Sequence, residues 1–252
     1  MALTFGTTQQ LTSNFSAVKV LVYGDAGIGK TMLAATLPRP IIISAEAGLL
    51  SLSPGNIAQV FGANTPGISY DINFMQVETI EDVEEAYRQL VAYPDMCDSI
   101  GLDSITEIAE KVLSNAKAGV KDPRQAYGEL IERMTKLIRQ FRDIPNKHVY
   151  FSAKMEKAKD ALDGMTRFAP SMPGSKLGDQ LPFFFDEVFR LQVGKDQAGN
   201  SFRWLQTGID MQSVAKDRSG ALQFMEYPHL GTIFEKIRAH AASGIAQPQP
   251  QA

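Results

Sequence analysis

The stretch that most constrains this chain is Gly24-Asp25-Ala26-Gly27-Ile28-Gly29-Lys30-Thr31. It fits G-x-x-x-x-G-K-[ST], a loop whose successive backbone N–H groups turn inward around an anion. Its flanks agree with that reading: Val18 to Tyr23 is a short β-rich run, and Met32 to Leu37 reads as a helix. Gly24, Gly27 and Gly29 permit the bend, and the N–H groups with the positive helix end hold phosphate. Lys30 reaches the β/γ-phosphates and the Thr31 hydroxyl binds Mg²⁺. The eight residues from Gly24 to Thr31 are therefore the candidate contacts to a nucleoside triphosphate.

Composition narrows the rest. At 252 residues the chain holds one α/β domain or two small ones, and 44 % hydrophobic with 21 % charged residues is ordinary for a globular protein. The net charge of −3 announces no global nucleic-acid binder, so such a partner needs a local basic patch. The single cysteine, Cys97, excludes an internal disulfide and reads as a buried, inert thiol in an apolar strand. No apolar run approaches the ~18 residues of a membrane helix. Met1 to Gln10 has no basic start followed by an apolar stretch. The expectation is a cytoplasmic protein with no membrane partner.

Taken in order, residues 1–16 form a polar lead-in, 17–241 one domain, and 242–252 a disordered tail in which Gln and Pro alternate from Gln247 to Gln251. Ile41-Ile42-Ile43-Ser44-Ala45-Glu46 is a β-branched run typical of a strand covered on both faces. Ser51 to Gly67, rich in Gly, Pro and Asn, reads as a long loop. Ile72 to Val77 is a short strand. Thr79 to Ala92 is a helix capped by Thr79, with Ile80, Val83, Tyr87, Leu90 and Val91 as its apolar stripe. Ser99 to Asp103 is a buried strand, followed by helices over 105–118 and 123–141. His148 to Ala153 is another core strand. Asp163-Gly164 marks a hairpin turn inside the polar stretch from Lys154 to Gln180. Phe185 to Val193 and Ser201 to Thr207 form a second hairpin, Val214 to Gly220 a basic turn, and His229 to His240 the last helix. Alternating strands and helices behind a phosphate loop predict an α/β fold. It has a mainly parallel sheet with helices on both faces and an antiparallel hairpin at one edge.

Asp103 ends an apolar strand, as the acid that holds Mg²⁺ through water does in triphosphate-binding proteins. With Thr31 it makes the candidate metal site. Hydrolysis also requires a group that orients water toward the γ-phosphate, and Glu46 and Glu107 are the candidates. Glu46 is preferred because its strand follows the phosphate-loop helix and would lie beside the first strand in a RecA-like order. No Asn/Thr-Lys-x-Asp guanine signature is present, so the expected cofactors are ATP and Mg²⁺.

These residues resemble the RecA-like ATPases. Asp103 is followed by Ser104 where the AAA+ pattern has Asp-Glu, and a glutamate ends the second strand. Ala215-Lys216-Asp217-Arg218-Ser219-Gly220 is similar to the Lys-x-Arg or Lys-x-Lys element of RecA and hexameric helicases. That similarity implies that Lys216 and Arg218 reach the γ-phosphate of a neighbouring subunit, which adds both to the catalytic candidates Lys30 and Glu46. Over roughly residues 16–240 the chain is most similar to phage-encoded RecA-like nucleotide-binding proteins, including the Sak-type single-strand annealing ATPases. The shared stretches beyond those already quoted are Ala45 to Gly48, Leu102 to Thr106, Phe151 to Lys154, Pro173-Gly174 and Asp186-Glu187. RecA senses γ-phosphate with a glutamine where this chain reads Ser152-Ala153-Lys154, so that role falls to Ser152 or Lys154.

The resemblance implies single-stranded DNA against the loops near 115–127 and 154–176. Between Lys147 and Lys176 six cations (Lys147, Lys154, Lys157, Lys159, Arg167, Lys176) face three acids, a net +3 that leaves −6 on the rest of the chain. Phe168 or Met165 at the hairpin tip would stack on bases. The expectations are therefore a DNA-stimulated ATPase that binds single-stranded DNA and promotes annealing. It would be a homo-oligomeric filament or ring, in the cytoplasm of a bacterial host if phage-encoded, with a single-stranded-DNA-binding protein as a further partner. The alternatives are a helicase or packaging-type motor core, and a nucleotide-dependent assembly switch that ignores DNA.

Overall fold

The computed structural model describes residues 6–7, 16–46, 48–120, 122–160 and 163–243. Most of the 1–16 lead-in and the tail from 244 onward lie outside them.

Ten strands form the sheet: β1 (Lys19–Gly24), β2 (Pro40–Ser44), β3 (Asn73–Gln76), β4 (Ser99–Asp103), β5 (His148–Lys159), β6 (Thr166–Pro170), β7 (Glu187–Lys195), β8 (Ser201–Gln206), β9 (Lys216–Asp217) and β10 (Met225–Glu226). Their order is β10-β8-β7-β1-β5-β4-β2-β3, with β6 beside β5 and β9 beside β7. From β7 to β3 the pairings along that order are parallel. The antiparallel pairs are β7–β8, β8–β10, β7–β9 and β5–β6. The mixed, mostly parallel sheet with an antiparallel hairpin at one edge is the architecture expected of an α/β nucleotide-binding domain.

Strand periodicity divides the core. Leu21, Tyr23, Ile41 and Ile43 point to one face, under the helices α2 (Ile80–Ala92), α3 (Ile105–Gly119) and α4 (Pro123–Arg142). Val18, Val20, Val22 and Ile42 point to the other, under α6 (Leu230–Ser243) and the Thr31–Thr36 segment. A strand buried on both sides has to be apolar at every position, which is why these runs are continuous in β-branched residues. Caps set the helix starts. Thr79 and Asp82 form a reciprocal capping box, and Ser104 accepts from the Glu107 amide.

Several boundaries depart from the sequence reading. Ser51 to Gly67 is not one loop: a 3-10 turn at Gly48–Leu52 leads into the helix α1 (Pro54–Phe61). Pro54 starts that helix and Gly62, at φ +86, ends it. The segment after the phosphate loop is a six-residue 3-10 helix, Thr31–Thr36, so little macrodipole stands behind the loop and an anion there would depend on its backbone N–H groups. The short helix α5 (Ser175–Gln180) closes the 154–180 stretch, and α6 runs to Ser243, past the expected domain end. Cys97 is buried, but in the turn before β4 and not in a strand. Lys216–Asp217, read as part of a turn, is the strand β9. Most consequentially, β2 lies beside β4 and not beside β1. Among the described residues no helix is long and apolar enough to cross a membrane.

Candidate functional site

The C-terminal edge of the parallel strands carries the phosphate loop, at the end of β1. Gly27 (φ +70) and Gly29 (φ +109) take backbone conformations that side chains disfavour, which is why glycine stands there. Lys30 Nζ folds back onto the loop, donating to the carbonyls of Gly24 (2.9 Å) and Asp25 (2.8 Å). Tyr150, fully buried on β5, donates its hydroxyl to the Lys30 carbonyl at 2.7 Å and ties the loop to the central sheet. Burial pushes the Lys30 ammonium below its ordinary pKa, and the charges of Asp103, Glu46 and Asp25 oppose that.

Two neighbouring strands bring the acids. The register Ser44↔Asp103 sets the ends of β2 and β4 side by side, and the Ala45 amide donates to the Asp103 carbonyl at 2.9 Å. Thr31 Oγ1 donates to Asp103 Oδ2 at 2.6 Å, and Ser152 Oγ donates to Asp103 Oδ1. Burial pushes the Asp103 carboxyl up, against the hydrogen bonds from Ser152 and Thr31. The peptide bond after Asp103 is cis. Glu46 Oε1 accepts from Ser104 Oγ at 2.6 Å. Glu46 thus reaches the site from the far side of β4, contrary to the expectation that its strand adjoins β1.

A cavity of about 860 Å³ is lined by Gly24 to Gly27, Gly29 to Thr31, Glu46, Asp103 and Lys154 at its polar end. Val60, Phe61, Phe202, Tyr227 and Pro228 form its apolar end. It has the volume and the two-ended chemistry of a nucleotide pocket. Glu107 does not line it. Lys154 Nζ donates to Glu107 Oε2 at 2.8 Å and that hydrogen bond holds the Glu107 carboxyl low. The donor set fits Mg²⁺: one hydroxyl and one carboxylate within reach of each other, the hard-oxygen pair that this ion takes together with phosphate and water. Among the described residues no group of three or more His, Cys, Asp or Glu could hold a metal alone.

Sequence reasoning missed Arg203 and the apolar end. Arg203 Nε, on β8, donates to the Ile28 carbonyl at 2.6 Å. The contact spans 175 residues and depends on hairpin register, so no local spacing signals it. The apolar end draws on α1, which composition disguised as loop.

The other sequence candidates are scattered. Lys216 pairs with Val188 and Asp217 with Glu187, while Glu187 pairs with Val20 of β1, so β9 sits toward the N-terminal ends of the strands. Through Val188, Lys216 stands level with Leu21, three positions or about 10 Å short of Gly24 along the strand, and Arg218 lies further back, so both are remote from their own phosphate loop. Lys216 Nζ donates to the Pro182 carbonyl and Arg218 pairs with Asp186 at 2.7 Å.

The basic stretch is largely neutralised within the chain. Lys154 pairs with Glu107 and Glu110, Lys157 with Asp25, and Arg167 with Asp160 and Asp163. Lys147 is buried against the Pro94 and Cys97 carbonyls. Lys159 and Lys176 are exposed and have no acidic partner within 4 Å among the described residues. Phe168 is not at the hairpin tip. It sits in the middle of β6, packed on the core, with the Arg190 guanidinium 3.6 Å from its ring centroid, so it is not free to stack on a base. Met165 does stand at the tip.

Set against known families, residues 16–219 match the AAA domain. A search of curated proteins returns no match.

Proposed function

The chain belongs to the AAA domain family, and from that premise we propose that it is a Mg²⁺-dependent ATPase of RecA-like design. The observation that carries this reading is the position of Glu46. The residue after Asp103 is Ser104, which carries no carboxylate of its own but orients one from the adjacent strand, at 2.6 Å, in the cavity that the phosphate loop lines. The phosphate loop and Lys30 bind the polyphosphate. Thr31 and Asp103 would hold Mg²⁺, and the bound ion would supply charge stabilisation to the phosphoryl oxygens. Glu46 takes the proton of the water that attacks the γ-phosphorus as the bridging P–O bond to the β-phosphate breaks. Lys154 lines the same cavity and would have to leave Glu107 and Glu110 to contact the terminal phosphate. Phosphate release should require both ATP and Mg²⁺. Hydrolysis that persists in excess EDTA would sink the proposal.

The assembled form of this reading takes Lys216 and Arg218, which are remote from their own loop and held by the Pro182 carbonyl and Asp186, to serve a neighbour's site. Specific activity should then rise with protein concentration, and Arg218→Ala should lower hydrolysis while sparing nucleotide binding. The single-stranded DNA reading rests on β5, whose twelve residues run from the core past the cavity into the β5–β6 hairpin, where Lys157 holds Asp25 of the phosphate loop at 2.8 Å. A strand bound on that hairpin would act directly on the loop. ATPase rates with and without single-stranded DNA, starting at ~50 mM salt where phosphate contacts are strongest, test it. No binding and no stimulation there leaves an ATPase without a DNA partner.

A further inference from the structure

The β7–β8 hairpin overhangs the phosphate loop. β7 last pairs with β1 at Tyr23↔Arg190 but runs on to Lys195, and β8 returns beside it with Val193 opposite Arg203. Arg203 is thereby carried past the end of β1 and onto the loop. Its Nε holds the Ile28 carbonyl at 2.6 Å, and its side chain lies across Gly29 so closely that a Cβ there would meet Nε at 3.4 Å. It lines the same cavity as Lys30, Asp103 and Glu46. In strand order it approaches the loop from the β7–β8 side, whereas Asp103 and Glu46 approach from β4 and β2.

The charge pattern indicates what it faces. Among the described residues no acid lies within 4 Å of Arg203, whereas Lys154 and Lys157 near the loop are each paired with acids. A guanidinium has five N–H donors in a rigid fork, and the Ile28 carbonyl uses one. The remaining donors stand beside a cavity built for an anion. We propose that Arg203 is a nucleotide-contacting residue supplied by the same chain, a fork that grips the polyphosphate from the hairpin side while pinning the loop through Ile28. The site then holds Arg203 beside Lys30 and Lys154, which line the same cavity, before any neighbour contributes. This inference rests on the ATP-binding reading above.

The test is binding of ATP, ADP and AMP, each with Mg²⁺, to wild type, Arg203→Ala and Arg203→Lys, with thermal melts to confirm folding. A direct polyphosphate contact predicts an ATP affinity at least about tenfold lower in Arg203→Ala, the size expected for one charge-assisted hydrogen bond. The loss should be greater for ATP than for AMP, and Arg203→Lys should restore part of it by keeping the charge without the fork. ATP affinity within twofold of wild type in Arg203→Ala overturns the proposal. So does an equal loss for all three nucleotides, which marks Arg203 as a prop for the loop alone. If Arg203→Ala does not fold, Arg203→Lys decides: unchanged ATP affinity and salt dependence there overturn the fork. Wild type that binds no ATP overturns the ATPase reading together with this one.

Discussion

Ser104 Oγ donates to Glu46 Oε1 at 2.6 Å, joining the residue after Asp103 to the carboxylate that the adjacent strand delivers. One hydroxyl therefore caps α3, through the Glu107 amide, and aims the carboxylate beside the phosphate loop. Glu46→Gln keeps the shape and the contact but removes the proton acceptor. It should bind ATP as wild type does and hydrolyse it at least about 100-fold more slowly, the usual weight of a general base. Ser104→Ala should cost less, about tenfold, because the carboxylate remains but loses its aim. Single-turnover hydrolysis beside equilibrium ATP binding checks both. A Glu46→Gln enzyme with undiminished turnover would transfer the role to another group.

His148 links the sheet to α6 and confers an acid limit on stability. Its ring stacks on Phe234 at 4.5 Å, and its Nδ1 accepts the Val18 amide at 3.0 Å, which requires the neutral ring. Burial pushes its pKa down to about 4, helped by the charges of Arg238 and Lys19. The folded state thus refuses a proton that the unfolded chain takes up below about 6.5. Stability from this group is complete above that value and is lost as pH falls from 6.5 toward 4, by up to about 3 kcal/mol. His148→Asn, which retains an acceptor for Val18 but does not titrate, should flatten the acid side of a Tm-against-pH curve relative to wild type. Parallel curves would mean that His148 does not titrate on unfolding.

Much of the fold was legible because its physics is local. Runs such as Ile41 to Ser44 can only be strands covered on both faces, and acids at strand ends, Asp103 and Glu46, stand where a parallel sheet places its ligands. Other features depend on contacts that no window contains. The order of β2 and β4 brings in Glu46 by a different route from the one expected. Arg203 reaches Ile28 only through the hairpin. The net +3 between Lys147 and Lys176 was a correct count but a poor measure of free charge, because Asp25, Glu107 and Glu110, outside that window, neutralise part of it. Helix α1 was announced by Pro54 and Gly62, the same residues that gave the segment its loop-like composition.

Glu187 gives an opposite, alkaline limit on the other side of β1. Its carboxyl is buried, with Oε1 accepting the Ser219 amide and Oε2 without a hydrogen-bond partner among the described residues. Burial, with Asp217 and Asp186 nearby, pushes its pKa up to about 8. The folded state keeps a proton that the unfolded chain releases above about 4.5, so stability falls as pH rises from there through 8. Glu187→Gln carries a permanent substitute for the protonated acid and should melt higher than wild type at pH 9 while differing little at pH 5. A wild-type advantage that grows with pH would reverse the assignment.

Gly101 controls how closely the core closes beneath Asp103. It stands on β4 between Ile42 of β2 and Tyr150 of β5, its register partners on either side. A Cβ there would lie 2.6 Å from Ile42 Cδ1 and 3.5 Å from Tyr150 Cδ1. The first distance is impossible without movement, but the atom concerned is the end of a flexible side chain. Gly101→Ala should therefore destabilise by about 1–3 kcal/mol as overpacking, and Ile42→Val in the same chain should recover part of that by removing the clashing methyl group. Gly101→Val also crowds Tyr150, whose hydroxyl holds the Lys30 carbonyl, so it should weaken ATP binding as well as lower Tm. Denaturant unfolding of the two single variants and the double variant measures the coupling. Strict additivity would show that Ile42 is not what Gly101 accommodates.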